Sequence, residues 1–231
     1  MGWLDFPFPR RCLGCNKVGR YFCSGCLPSV KPPKASVCPF CFRSSIYGAI
    51  HTQCRGVFSL DGLVTVFKYE GMIQQAIKKL KYRFITDLAE EMVNLIIKHF
   101  REGQGRFFPK FDGSWILTPV PLYFRRERWR GFNQAQILGE KIAGMLNLRF
   151  NGQVLIRRKY TQPQAEIREI KDRYANIRGA FKINPILKLR IPNSKFILFD
   201  DVWTTGSTIK ECARVLKKTK AVRVWGMTMA R

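Results

Sequence analysis

The stretch of sequence that decides the fold is Phe196-Ile-Leu-Phe-Asp-Asp-Val-Trp-Thr-Thr-Gly-Ser-Thr-Ile-Lys-Glu211. It begins with a short apolar run at residues 197–199, which is typical of a buried parallel strand. Asp200 and Asp201 follow where such a strand leaves its sheet, and ligands of open α/β sheets bind at that edge. The stretch therefore predicts a strand, a ligand-binding turn and a helix, in that order.

The turn after the two acids has the groups that a phosphorylated sugar requires. Residues 204–208 offer hydroxyls and backbone amides, and Gly206 lets the backbone approach a ligand closely. Ser207 or Thr208 is expected to cap the next helix, whose N-terminus attracts phosphate. The two carboxylates would repel a bare phosphate, but they suit ribose hydroxyls, or a magnesium ion bound to those hydroxyls and a diphosphate. The simpler alternative is an acidic turn that only caps a helix.

The sixteen-residue stretch resembles the phosphoribosyl-diphosphate (PRPP) binding motif of type I phosphoribosyltransferases. Within that superfamily it is most similar to the ComF family of competence-associated proteins. Three other segments carry the resemblance: Thr118-Pro-Val-Pro-Leu122 with Arg130-Gly-Phe-Asn-Gln134, Gln164 with Arg173-Tyr-Ala-Asn-Ile-Arg-Gly-Ala-Phe181, and Met229-Ala-Arg231. Together with the cysteine-rich N-terminus, the resemblance covers nearly the whole chain.

The resemblance implies a type I phosphoribosyltransferase-like α/β fold and a site for PRPP with magnesium. The stretch between Arg157 and Arg178 would be the loop that closes over substrate, with Gln164 and Arg173 at matched positions. The segment around Arg130 would hold the diphosphate. The residues implied for PRPP binding are Asp200, Asp201, Thr204, Thr205, Gly206, Ser207, Thr208, Arg130, Gly131, Asn133 and Gln134, with the two aspartates also in the catalytic role.

Three functions stay open at this point. The chain could be a PRPP-binding protein of DNA uptake and natural transformation, which is what the ComF resemblance suggests. It could also be a catalytically silent nucleic-acid-binding adaptor on the same fold, or an active phosphoribosyltransferase of nucleotide metabolism. Fold resemblance alone does not establish turnover, and no short motif identifies an acceptor.

The charge of the chain predicts attraction to polyanions. Lysine and arginine number 41 against 16 acidic residues, which gives a net charge of +25, and the excess falls on both sides of Val57. Such a potential favours nucleic acid in a strongly salt-dependent way, although a basic soluble surface is the alternative. Arg125, Arg126 and Arg128, interleaved with aromatic residues, predict a contact with single-stranded DNA. The resemblance adds a helicase-like competence protein as a candidate partner.

The cysteines are concentrated at the N-terminus, where seven of the eight lie before residue 55. An odd number in that segment and the lack of a targeting signal disfavour disulfides, whereas pairs separated by two residues suit structural zinc. Eight ligands make two tetrahedral sites, paired either in sequence order or interleaved. His51 is either the replacement for a cysteine that the ComF pattern has and this chain lacks, or a solvated surface residue. The sequential assignment is Cys12, Cys15, Cys23 and Cys26 for one ion, and Cys38, Cys41, His51 and Cys54 for the other.

The chain divides into two predicted units: a double zinc-ribbon module at residues 1–57 and a phosphoribosyltransferase-like domain at 58–231. In the second unit, strands at 63–69, 115–120, 196–199 and 222–227 alternate with helices at 72–80, 88–100 and 132–146 and after the acidic pair. This alternation predicts an α/β fold with a parallel sheet and flanking helices. Because no targeting segment or membrane-spanning run is evident, a cytoplasmic location without membrane insertion is expected.

Overall fold

A five-stranded parallel sheet forms the centre of the molecule. The computed structural model describes residues 9–82, 86–101, 109–161 and 169–231. The sheet has the spatial order β1-β7-β6-β2-β3 and consists of β1 (Gly62–Phe67), β2 (Trp115–Pro119), β3 (Arg149–Phe150), β6 (Lys195–Val202) and β7 (Arg223–Ala230). A separate antiparallel pair joins β4 (Leu155–Arg157) to β5 (Phe181–Ile183). The predicted fold class, α/β with a parallel sheet and flanking helices, is confirmed.

The described ranges contain helices on both faces of this sheet. They are α1 (Gly71–Tyr82), α2 (Thr86–Arg101), α3 (Phe124–Arg130), α4 (Gln134–Met145), α5 (Ile170–Ile177) and α6 (Ser207–Lys218). The helices predicted at 72–80, 88–100 and 132–146 correspond to α1, α2 and α4. Not one of the described helices has the length and apolar character that a bilayer span requires.

Two segments differ from the sequence prediction. The arginine-rich segment before Gly131, for which the sequence predicted neither helix nor strand, forms α3, which buries none of its residues and therefore has no apolar stripe by which to recognise it. The segment predicted as a closing loop contains α5 and is flanked by the β4–β5 pair. The two strands of that pair are short and far apart in the chain, so neither shows a hydrophobic periodicity long enough to predict a strand.

The central strand β6 divides the hydrophobic core into two layers. Ile197 and Phe199 pack with side chains of α1, α2 and α4, whereas Phe196 and Leu198 pack with α6 and the β4–β5 pair. All four side chains are at most 1% exposed. A strand that is buried on both faces needs a continuous apolar run, which is what the sequence provides before the two acids.

The cysteine-rich segment straddles the β1 edge of the sheet. Phe22 and Cys12 join the core of α1 and α2, and the backbone amides of Tyr21 and Phe22 donate to the Glu91 carboxylate at 3.3 and 3.1 Å. Val37 belongs to the core on the opposite face. The connector between the two cysteine clusters, residues 27–37, thus crosses the outside of β1 and covers an edge strand that would otherwise be open to pairing. The division of the chain after Val57 stays a prediction.

Candidate functional site

A cleft of about 520 Å³ lies where β6 and β2 end at the carboxyl edge of the sheet. Its floor is formed by the acids of β6 and by the start of α6. Helix α3 and the start of α4 form one wall, and the end of α1, β4 and α5 supply further side chains. The predicted residues that line it are Asp200, Asp201, Thr204, Gly206, Ser207, Thr208, Arg126, Arg130, Asn133, Gln134 and Arg173. Gln164 lies outside the described residues.

The two acids are the last side chains of β6 before its end at Val202, rather than residues that follow the strand. Asp201 is 5% exposed, and its Oδ2 is 3.0 Å from Lys81 Nζ and accepts a hydrogen bond from Gln134 Nε2 at 3.1 Å. Burial works to lower the pKa of Lys81, but the Asp201 carboxylate outweighs it and the pKa is raised. Lys81 therefore compensates the negative charge of one of the two acids.

Asp200 has no such cation in contact within the described ranges. Its Oδ1 accepts a hydrogen bond from the Asp201 backbone amide at 2.9 Å. Burial first, and then the neighbouring Asp201 charge, raise the pKa of Asp200 from 3.8 to about 7. Near neutral pH this carboxyl group is consequently close to the midpoint of its titration, which is common in functional sites.

The turn from residues 204 to 208 is shaped by a glycine and a tryptophan. Gly206 has φ +72° and is itself the N-cap of α6, without a side-chain cap, so the prediction that Ser207 or Thr208 caps the helix is wrong. A Cβ on Gly206 would lie 2.2 Å from the buried Trp203 ring. No other residue fits this position without displacing the ring, and the tight turn brings the first amides of α6 to the cleft.

Thr205 has a structural place in this turn. It is buried, and its Oγ1 lies 3.2 Å from Ser207 Oγ, to which it donates. Its carbonyl accepts from the Tyr174 hydroxyl and from Lys210 Nζ, both at 3.3 Å. Among the predicted residues of the turn, Thr205 is the one that does not line the cleft.

Helix α3 separates its arginines into two groups. Arg126 and Arg130 line the cleft, and Arg130 Nη1 donates to Gln134 Oε1 at 3.2 Å. Arg125 and Arg128 instead lie over the Phe124 ring at 5.8 and 5.9 Å, outside the cleft. Arg126, which the sequence prediction grouped with Arg125 and Arg128, therefore lies apart from them, and the contact of all three with nucleic acid stays a prediction.

Gly131 and Asn133 build the junction between α3 and α4. Gly131 has φ +80° and ends α3 by donating its amide to Glu127 O at 2.7 Å, and it does not line the cleft. Asn133 caps α4, since its Oδ1 accepts from the Ala135 amide at 3.0 Å and its Nδ2 donates to Val120 O at 3.2 Å. Both residues position the arginine-bearing wall.

Two residues of the cleft were not singled out from the sequence. Lys81 is one, and Arg157 on β4 is the other. Burial and the nearby Arg126 lower the pKa of Arg157, its Nε is buried without a hydrogen-bond partner among the described residues, and its Nη2 donates to the Thr161 hydroxyl. A desolvated guanidinium beside an acid pair indicates a place for a further anion in the cleft.

The two cysteine clusters follow the sequential pairing rather than the interleaved one. The ligand atoms of Cys12, Cys15, Cys23 and Cys26 lie within 4.8 Å of one another, as do those of Cys38, Cys41, His51 and Cys54. Cys15 Sγ and Cys23 Sγ are 3.7 Å apart, close to the ~3.8 Å edge of a tetrahedron with Zn–S bonds of about 2.3 Å. Both groups could therefore hold a zinc ion.

His51 joins the second cluster through its Nδ1, which lies 3.3 Å from Cys41 Sγ. Its Nε2 is 3.0 Å from Ser44 O, an arrangement that places the ring proton on Nε2 and leaves the Nδ1 lone pair toward the thiols. Burial works to raise the pKa of Cys38, but backbone amide donors outweigh it and lower the pKa to about 7. These features suit a ligand role for His51 rather than a solvated one.

The fold and the cleft define an α/β protein with an acid pair and a glycine-containing turn at one sheet edge. No family model matches the chain. The chain is 29% identical to Competence protein F of Haemophilus influenzae, over 96% of this chain and 98% of that one. It is 28% identical to DNA utilization protein YhgH of Escherichia coli K12 over 88% of each, and 26% identical to Competence protein ComFC of Bacillus subtilis over 96% and 88%. The resemblance to the ComF family is thereby confirmed.

Solved structures show a weaker likeness. The allosteric regulatory enzyme of purine biosynthesis has 14% identity and a TM-score of 0.38, over 62% of this chain and 26% of that one. The adenine phosphoribosyltransferase of Leishmania tarentolae has 17% identity and a TM-score of 0.29, over 65% and 74%.

The raised pKa of Asp200 predicts a defined pH dependence of stability. Because the pKa of this acid is higher in the folded than in the unfolded chain, its contribution is fully present below pH 3.8 and is lost as the pH rises through about 7. We expect Asp200→Asn to have a higher melting temperature than wild type at pH 8, with the difference shrinking toward pH 5. Thermal melts across this range measure it. Asp172→Asn, at an exposed carboxylate, is the control, and a difference that does not change with pH would contradict the assignment.

Proposed function

We propose that the cleft binds PRPP and that the chain uses this ligand in a DNA-handling role. The proposal rests on one observation: Asp200 and Asp201, residues of the turn at 204–208 and the arginines of α3 and β4 line the same cleft. A ribose needs hydroxyl acceptors, a 5-phosphate needs amide donors, and a diphosphate needs cations. All three kinds of group face the same 520 Å³.

Each part of the ligand has a counterpart in this arrangement. The 5-phosphate would sit on the turn and the N-terminus of α6, where backbone amides and the Ser207 and Thr208 hydroxyls can donate. The ribose diol would donate to Asp200, which is not committed to a cation in the described structure. The diphosphate would lie toward Arg130 and Arg157, whose guanidinium forks match phosphate oxygens in pairs.

Magnesium fits this donor set as part of the ligand complex. Asp201 is already held by Lys81 and Gln134, so a metal ion would be held chiefly by the diphosphate and ribose oxygens, with Asp200 as the nearest carboxylate. When bound, the ion would neutralise charge on the departing diphosphate. The protein's share is to hold C1 in a fixed position and to stabilise the leaving group with the arginines.

The experiment is calorimetry of PRPP with magnesium on the purified protein. We expect binding in wild type, loss of binding in Asp200→Asn with Asp201→Asn, and a loss of affinity in Arg157→Gln. A charged hydrogen bond contributes about 1.5–3 kcal/mol, so Arg157→Gln should weaken binding roughly ten- to hundredfold.

The neighbouring Arg158 provides the matched control. It is exposed and its Nε donates to Gly179 O at 3.1 Å, outside the cleft, so Arg158→Gln should bind PRPP like wild type. The proposal would be contradicted if PRPP gave no heat of binding with the wild type and ribose 5-phosphate at millimolar concentration did not compete for the cleft. Equal loss in both arginine variants would remove Arg157 from the site.

Helix α3 supports a second part of the proposal, contact with single-stranded DNA. Phe124 is 50% exposed, with Arg125 and Arg128 over its ring, and Trp129 on the same helix is 71% exposed at the border of the cleft. Exposed aromatic faces next to arginines suit stacked bases and a phosphate backbone. The competence and DNA-utilization names of the relatives support a role of this kind in DNA uptake.

The salt dependence of DNA binding tests this surface. Arg125→Gln with Arg128→Gln should make the slope of log affinity against log salt shallower by about 0.7 for each phosphate that the variant no longer neutralises. PRPP binding should not change, because neither side chain lines the cleft. Conversely, Asp200→Asn should leave the slope as in wild type. An unchanged slope in the double arginine variant would place the DNA elsewhere.

The two cysteine clusters are proposed as structural zinc sites, within a module formed by residues 1–57 beside a domain formed by 58–231. Each group supplies four ligand atoms, which leaves no open position for catalysis. We expect two zinc ions per chain by elemental analysis of the purified protein, and one in Cys38→Ser. Cys212→Ala is the control, because Cys212 is buried in α6 outside both groups. Two ions retained in Cys38→Ser would contradict the assignment.

A further inference from the structure

A second cavity, separate from the cleft, lies beneath the connector. It measures about 510 Å³, which is within the range of sites for small ligands. The connector forms its roof, and its inner wall comes from β1, from His99 at the end of α2 and from Arg231 after β7. None of the described residues that line it lines the cleft.

The rim of this connector cavity is strongly basic. Lys31 and Lys34 stand on the roof, and Lys68 and Arg231 on the wall, while the described residues lining it include no aspartate or glutamate. Lys68 has Glu70 at 3.9 Å, in a largely exposed pair that contributes little. The cleft, by contrast, contains two carboxylates. The connector cavity therefore attracts anions without a carboxylate pair to offset the attraction.

Arg231 is held in place by the backbone rather than by an acid. Its amide donates to Phe67 O at 3.1 Å, and its carbonyl accepts from the Tyr69 amide at 2.8 Å. Its pKa is lowered by burial, with no acidic group in the described structure acting against that effect. A partly desolvated guanidinium that has no acidic side chain in contact among the described residues gains from an arriving anion.

The floor of the cavity is apolar. Leu63 of β1, which is 2% exposed, lies on it, and the connector adds Pro32, Pro33 and Val37 on the roof, where Val37 is 8% exposed. The Thr65 hydroxyl, 3.3 Å from that of Thr228, adds a polar group on the same wall. A small inorganic ion would leave this apolar surface uncovered. A ligand with a phosphate at one end and a flat, weakly polar ring at the other would cover it.

We propose that the connector cavity is a second binding site, for a nucleotide. Its phosphate would contact Lys68 and Arg231, with Lys31 and Lys34 closing from the roof, and its base would lie against Pro33, Val37 and Leu63. The nucleotide is either a free monophosphate or the phosphorylated end of a DNA strand. The site does not depend on PRPP binding in the cleft. The two sites are nevertheless close, because Lys68 lines the connector cavity and the next residue, Tyr69, lines the cleft.

The test is titration of the full-length, zinc-loaded protein with adenosine 5′-monophosphate, with adenosine as the ligand that lacks the phosphate. We expect the monophosphate to bind at least tenfold more tightly than adenosine. Lys68→Met with Arg231→Gln should weaken it at least tenfold. Lys188→Gln with Arg190→Gln, two exposed cations elsewhere, should leave it unchanged. A melting curve for each variant shows that it is folded.

Two further measurements distinguish the source of the nucleotide and the place where it binds. If the ligand is a strand end, a 5′-phosphorylated oligonucleotide should bind more tightly than its 5′-hydroxyl counterpart, and only in proteins with an intact cavity. With the cleft saturated by PRPP and magnesium, the monophosphate should still bind, and Asp200→Asn should not change this remaining binding. Loss of all monophosphate binding at saturating PRPP, or insensitivity of both phosphate ligands to Lys68→Met with Arg231→Gln, would overturn the proposal. Because these readouts use no PRPP in the primary titration, failure of the cleft to bind PRPP would not obscure them.

Discussion

The ion pair between Lys81 and Asp201 is the interaction on which the cleft depends. It joins the end of α1 to the end of β6, and Gln134 at the start of α4 holds the same carboxylate. Two acids at the buried end of a strand repel each other, and breaking a buried pair leaves an uncompensated charge. Compensation of one acid leaves the other, Asp200, open toward the cleft. Keeping two acids so close together lowers the free energy of unfolding, a cost that is common in clefts with a function.

The cysteine clusters support that site from the β1 edge. The first cluster packs on the α1 and α2 face, and the second begins directly after Val37, which belongs to the core on the opposite face with α6. The ring centre of Phe42, the residue after Cys41 of the second cluster, lies 5.1 Å from Lys210 Nζ, and the same amine donates to Thr205 O in the turn at residues 204–208. The second cluster and the geometry of the turn are thus connected through one lysine. The N-terminal segment is part of the architecture of the cleft as well as a cover for the sheet edge.

Much of this structure could be predicted from local patterns in the sequence. The apolar run before Asp200 marked β6, and the spacing of the cysteines marked both ligand groups, because each signal lies within a few neighbouring residues. Lys81 and Arg157 carried no such signal, since their neighbours in the cleft lie far away in the chain. The expected side-chain cap on α6 was wrong because Gly206 adopts φ +72° against the Trp203 ring. Helix α3 was missed because an exposed helix of arginines has no apolar period.

A crystal structure with PRPP and magnesium tests the central claim most directly. The account predicts electron density for the 5-phosphate on the amides at the start of α6, the ribose hydroxyls on Asp200, and the diphosphate within reach of Arg157 and Arg130. Lys81 should remain on Asp201. An empty cleft at saturating ligand, or a ligand bound away from both aspartates, would contradict it.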